Sequence, residues 1–136
     1  MEYVLTAAEM KQCDEQTTTE YGIPSLVLME RAALETARII TGRYGTDISV
    51  GIVAGSGNNG GDGIAIARIL QESGVSVQIH LMGEEAKCTE QARMQIRAAR
   101  MLDIPIHYGM DNYLYDVIVD AIFGIGISRE IEGKYQ

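Results

Sequence analysis

The tract Gly55-Ser56-Gly57-Asn58-Asn59-Gly60-Gly61-Asp62-Gly63 constrains this chain more than any other stretch. It follows a short apolar, β-branched run over residues 48–55, and a helix-spaced segment over 63–73 follows it. A buried strand running straight into a glycine-dense turn and then a helix is the opening of a βαβ unit. Gly55, Gly57 and Gly60 satisfy GxGxxG in the setting that a phosphate-cradling loop needs. Glycines there allow positive φ and let phosphates come close to the amides at a helix N-terminus. No Gly-Lys-Ser/Thr follows, which excludes a Walker A loop. The same pattern also serves tight turns that use glycine only for packing, and the strand-turn-helix setting favours the binding reading.

The rest of the chain extends the alternation. Thr6-Ala7-Ala8-Glu9 reads as a capping box for a helix ending near Tyr21 and Gly22. Pro24 suits the first turn of a second helix, which Gly42 or Gly45 would end. Further strands are expected over 75–83, 104–108 and 115–126, and a further helix over 87–102, closed by Asp103 and Pro105. The fold class is therefore α/β, a doubly wound, mainly parallel sheet with helices on both faces, preceded by two N-terminal helices. The 136 residues suit a single domain, 1–136, since compact domains run to about 100–150 residues. Residues 127–136 carry neither a capping residue nor a following strand. Doubly wound sheets continue past a fourth strand, so the domain is expected to be incomplete at its C-terminus.

Charge narrows the partners. The 19 acidic residues outnumber the 11 basic ones and leave a net charge of -8, which argues against a nucleic-acid partner. An anionic small molecule can still be held by backbone N–H groups. Cys13 and Cys88 lack CxxC spacing and nearby histidines, so they read as inert free thiols. The N-terminus has no secretion-signal pattern and no apolar run approaches membrane-spanning length, so no membrane partner and a cytoplasmic location are expected.

Asn58, Asn59 and Asp62 put donors and acceptors into the glycine turn, although turn geometry for the asparagines and helix capping for the aspartate would explain them too. Asp120 interrupts the apolar run Val117-Ile118-Val119 and Ala121-Ile122-Phe123. Near the buried end of a central strand it would need a cation, a cluster of donors or a shifted pKa. An aspartate bonding amides of its own loop is the equal alternative. If the four strands take the order 3-2-1-4, the first and fourth are neighbours and their carboxyl ends form the crevice where ligands bind. Asn59 and Asp120 would then face one crevice. Oxygen ligands without Cys or His suit a hard cation. Residues 124–130 would form the other wall, with Arg129 available to a phosphate. His80 and His107 read as packed or edge histidines, Ser56 is outside GxSxG context, and the seven methionines read as core filler.

These residues resemble the YjeF N-terminal domain family, the NAD(P)HX epimerases. The resemblance is carried by PSLVLMERAALETA, the GSGNNGGDG loop continuing into ARIL, and DVIVDAIFGIG, in the family's order and spacing. It implies a Rossmann-like domain that interconverts the R and S epimers of hydrated NADH and NADPH, dinucleotides carrying water at C6 of the nicotinamide ring. It further implies that Asn58, Asn59, Gly60, Gly61 and Asp62, with Gly124, Ile125, Gly126, Ile127, Ser128, Arg129 and Glu130, bind substrate. Asn59 and Asp120 would ligate a potassium ion. A dehydratase domain, fused or separate, would repair the S form. Ala33 stands where the family usually has glycine. The family's later IDIPSG-like motif, whose aspartate is an acid-base candidate, does not occur in these residues, so reduced activity or none is expected of this chain alone.

Two other functions compete. Related domains act as non-catalytic scaffolds, but a scaffold has no reason to keep Asn59 and Asp120 together. Glu84 after the second strand suggests an NAD-dependent dehydrogenase, for which the chain has no room for a substrate domain. An exposed edge beside the fourth strand would favour a homodimer.

Overall fold

The computed structural model of the protein describes residues 2–3, 24–110 and 114–129. The helix expected over 6–21 lies outside them. The elements are β1 (Glu2–Tyr3), α1 (Ser25–Tyr44), β2 (Ser49–Ala54), α2 (Asn58–Glu72), β3 (Ser76–Leu81), a 3-10 turn (Glu85–Lys87), α3 (Glu90–Met101), β4 (Ile106–Tyr108), β5 (Val117–Ala121) and β6 (Gly126–Arg129).

They form one six-stranded sheet in the order β1-β6-β5-β2-β3-β4. The stretch β4-β3-β2-β5 is wholly parallel and is the expected 3-2-1-4 arrangement. The expected long strand over 115–126 is corrected. It stops at Ala121, turns, and returns as β6, antiparallel to β5. In that turn Asp120 Oδ1 accepts the Ile122 N–H at 3.1 Å, an aspartate bonding the backbone two residues on. The edge argument for self-association falls with it, since β6 covers β5 and β1 pairs with β6.

Local chemistry explains the helix ends. Pro24 sits at the N-cap of α1 rather than inside its first turn. Gly45 ends that helix at φ +79, a conformation open to glycine, and its N–H reaches Thr41 O at 2.8 Å. Thr89 caps α3 by accepting the Ala92 N–H at 3.2 Å, a contact worth about 1 kcal/mol. α2 begins at Asn58, so the polar half of the glycine tract is helical and not loop.

Side chains alternate across the sheet. Val50, Ile52, Ala54, Val77, Ile79, Leu81, Val117, Val119 and Ala121 line one buried face. α2 lies on that face through Gly63, where a Cβ would come within 2.6 Å of Ala121 Cβ and 3.2 Å of Ile52 Cγ2. α1 and α3 pack against α2, joined through Arg68, which donates to Gln95 at 2.8 Å and pairs with Glu30 at 2.5 Å. The helices expected on the second face are not among the described residues. Of the methionines, Met29 is buried in the core while Met82, Met94 and Met101 are exposed, which corrects the filler reading.

Candidate functional site

The glycine turn is clamped by its neighbours. The Gly55 N–H donates to Ala121 O at 3.1 Å, the Met82 N–H to Ala54 O at 2.8 Å, and the Thr89 N–H to Ser56 O at 3.0 Å. A Cβ on Gly55 would meet Ile122 O at 3.0 Å, and one on Gly60 would overlap the Gly55 carbonyl. Gly55, Gly60 and Gly63 are thus glycines because backbone or side chains pass through the space a methyl would fill. Gly57 differs. A Cβ there would meet nothing within 4 Å, and its φ of -84 is open to any residue. The expected positive φ is absent from this turn: the positive-φ glycines among the described residues are Gly45, Gly74 and Gly109.

Gly57 is also the N-cap of α2, and without a side chain it makes no cap. The first backbone bond of the helix runs from Gly61 N–H to Gly57 O at 3.3 Å. The N–H groups of Asn58, Asn59 and Gly60 precede it, so they point out of the helix end, which carries the positive pole of its dipole. Asn58 is exposed, Asn59 is half-buried, and neither side chain has a hydrogen bond among the described residues. Their backbone is helical, so turn geometry does not account for them. Asp62 lies in the second turn of α2, which removes the capping explanation for it.

Asp120 sits opposite Val53 on β5, at the same carboxyl edge of the sheet as the glycine turn. It is exposed, which corrects the buried placement expected for it, and bonding an amide of its own turn is the alternative that the structure bears out. It leaves the sheet on the face opposite α2, so Asn59 and Asp120 flank the edge from different sides. In the second wall Gly124 lies in the turn, half-buried. Ile125, Ile127 and Ser128 are buried, with Ile127 opposite Val119, so what they offer a ligand is backbone. Gly126 opens β6, the backbone of Arg129 pairs with Val117, and Glu130 lies outside the described residues.

One cluster was not singled out from the sequence. The Tyr115 ring lies flat on Gly51, where a Cβ would fall 2.9 Å from its Cγ. Its hydroxyl meets Nε2 of buried His80 at 2.5 Å, while His80 Nδ1 lies 3.0 Å from Gly109 O. A carbonyl only accepts, so Nδ1 carries a proton, and the tyrosine hydroxyl is the partner of Nε2. His107 stacks on His80 with centroids 4.9 Å apart and bonds Gln78 at 2.6 Å. Both histidines are packed residues, as expected. The signal was a glycine inside a strand, which marks the close approach of another group. Cys88 is buried, and burial followed by the nearby Glu85 charge pushes its thiol up, which suits an inert cysteine.

Among the described residues, no group of three or more His, Cys, Asp or Glu comes together as a metal-binding set. No helix among them is long and apolar enough to cross a membrane.

Residues 25–136 match the model of the YjeF-related protein N-terminus family. A Levilactobacillus brevis protein named NAD(P)H-hydrate epimerase is 41% identical over 99% of this chain and 63% of its own length. A Limosilactobacillus fermentum protein of the same name is 44% identical over 98% of this chain and 65% of that protein. The chain thus spans a little under two thirds of these relatives. The crystal structure of the yeast protein ynu0 superposes with a TM-score of 0.69 at 22% identity, over 89% of this chain and 57% of that one, and shows the same fold.

Proposed function

The chain belongs to the YjeF-related protein N-terminus family, and on that premise we propose that it binds hydrated NADH and NADPH and interconverts their R and S epimers. The observation that carries this reading is the helix end at Gly57: uncapped, open to approach, followed by two asparagines with uncommitted side chains. The dinucleotide's pyrophosphate would sit on the N–H groups of Asn58, Asn59 and Gly60. Inversion at C6 needs proton transfer by a well-placed group, and with Asp120 given to a cation, Asp62 is the carboxylate that remains in these elements.

The oxygen donors Asn59 and Asp120, which flank the edge, are the pair we propose for a potassium ion. Asp120 Oδ1 is committed to Ile122, which leaves Oδ2, and the Asn59 amide oxygen is uncommitted among the described residues. One carboxylate with amide and carbonyl oxygens is donor chemistry for a large, hard cation. The ion would supply fixed positive charge beside the phosphates, and the chain's own residues would position the ring. The S epimer would pass to a dehydratase that removes the water.

Incubation of R-NADHX with the purified chain, resolved by chromatography, tests the reading. Appearance of the S epimer above the spontaneous rate supports it. Binding of the dinucleotide with little or no conversion is the reduced activity expected of these residues alone, and absence of binding would overturn the reading.

A further inference from the structure

Phe123 is the only phenylalanine in the chain, and it is 95% exposed. It stands in the turn between β5 and β6, where glycine and small polar residues are the usual choice. Among the described residues, no packing accounts for a large apolar ring there. Its position ties it to the amide cradle. The backbone of Ile122, one residue before it, lies against Gly55, and Gly55 lies against Gly60 in the first turn of α2. Phe123 therefore stands at the rim of the crevice, one residue from backbone that touches the cradle.

We propose that Phe123 is the platform on which the adenine of the dinucleotide stacks. The proposal rests on the reading of the crevice as a dinucleotide site, and it adds the residue that reads the purine. The two rings of the ligand differ in shape. The reduced nicotinamide is already non-aromatic, and hydration makes C6 tetrahedral, so the modified ring is puckered. Adenine keeps a flat π-face, which an exposed benzene ring matches without any hydrogen-bond partner. A rim position also suits the end of the ligand remote from the chemistry, because stacking tolerates water at its edges whereas proton transfer needs a positioned group. Tyr108, another well exposed aromatic, is a poorer platform. It ends β4, two strands away from β2, and its hydroxyl is tied to Arg100 at 2.8 Å.

The chain contains no tryptophan, so Phe123→Trp installs a single fluorophore at the proposed contact. Its emission is expected to be quenched by AMP and by ADP-ribose and left unchanged by nicotinamide mononucleotide. By calorimetry, Phe123→Ala is expected to bind ADP-ribose and AMP roughly ten-fold or more weakly, with an unchanged melting temperature, and Phe123→Trp to retain wild-type affinity. Equal binding of ADP-ribose by wild type and Phe123→Ala would overturn the proposal while leaving the crevice reading intact. A Phe123→Trp response to the mononucleotide instead of AMP would overturn it in favour of the nicotinamide. Emission that changes on dilution of the protein alone would assign the ring to a contact between copies. If wild-type protein bound none of the three probes, the crevice reading itself would fall, and this proposal with it.

Discussion

The backbone of Gly60 runs so close to Gly55 that a Cβ on Gly60 would sit 2.8 Å from the Gly55 carbonyl carbon. Neither partner can yield, because both are main chain and Gly55 is held on its other side by Ala121. Gly60→Ala is therefore expected to destabilise the fold by about 3 kcal/mol or more, at or above the upper end of ordinary overpacking. Gly57→Ala is the contrasting case. It has open space and a permissive φ, so it should cost no more than about 1 kcal/mol, the N-cap preference for glycine over alanine, while dinucleotide affinity falls because the methyl occupies the approach. Urea unfolding and ligand titration of both variants check this. A Gly57→Ala variant that binds normally would remove Gly57 from the site.

Asp120→Asn keeps an oxygen for the Ile122 amide and removes the charge. At an exposed position, stability should change by no more than about 0.5 kcal/mol. Wild-type affinity for ADP-ribose is expected to be higher in potassium chloride than in an equal concentration of N-methylglucamine chloride, and the variant should lose that difference. Identical affinity of the wild type in both salts would remove the ion from the proposed site.

The stacked ring on Gly51 predicts coupling between two positions. Tyr115→Phe removes the hydroxyl that bonds Nε2 of buried His80, at a cost of about 1 kcal/mol. Gly51→Ala drives a methyl into the ring and should cost about 1–3 kcal/mol. Once Tyr115→Ala has removed the ring, adding Gly51→Ala should cost far less, a non-additivity that a double-mutant cycle measures directly. Full additivity would show that the ring does not rest on Gly51.

Glu85 receives two bonds from Arg100, at 2.6 and 2.9 Å. The Arg100 hydrogen bonds hold its carboxyl below the ordinary range against the opposing effect of burial, with help from the arginine's charge and from Tyr108. A carboxyl with a lowered folded-state pKa stabilises above its unfolded value and loses that contribution as pH falls through the folded one. Both side chains are more than a third exposed or close to it, so solvent screening keeps the contribution below about 1 kcal/mol. Glu85→Gln should thus be slightly less stable than wild type at neutral pH and equal to it once the acid limb is passed. Unfolding curves at pH 7 and pH 3 give the comparison.

Periodicity made most of this architecture legible. Strand order followed from the alternation of apolar runs with helix-spaced segments, and the glycine turn announced its own place between β2 and α2. What was hidden depends on three dimensions. β6 reads as a continuation of β5, because Val117 to Ile127 is almost unbroken apolar sequence, yet the chain turns back where Asp120 bonds Ile122. Asp120 points to the face opposite α2, and there it is exposed where the surrounding residues suggested burial. Gly51 and Tyr115 are 64 positions apart and share no period, so their contact could be suspected only from a glycine in a strand. Asn58 and Asn59 looked like turn residues and proved to be the first turn of a helix, which turns their amides outward and strengthens the anion-binding reading.

Three backbone bonds from three different segments fix Ala54, Gly55 and Ser56. The cradle is consequently as stiff as the sheet that carries it. Its amides are already aimed before a ligand arrives, so little ordering entropy opposes binding. Such a loop has no slack to absorb a change of length: a single inserted residue would pull Gly60 off Gly55 and break the brace at Thr89. Over evolutionary time, variation in what this protein binds would have to come from the rims of the crevice and not from its floor.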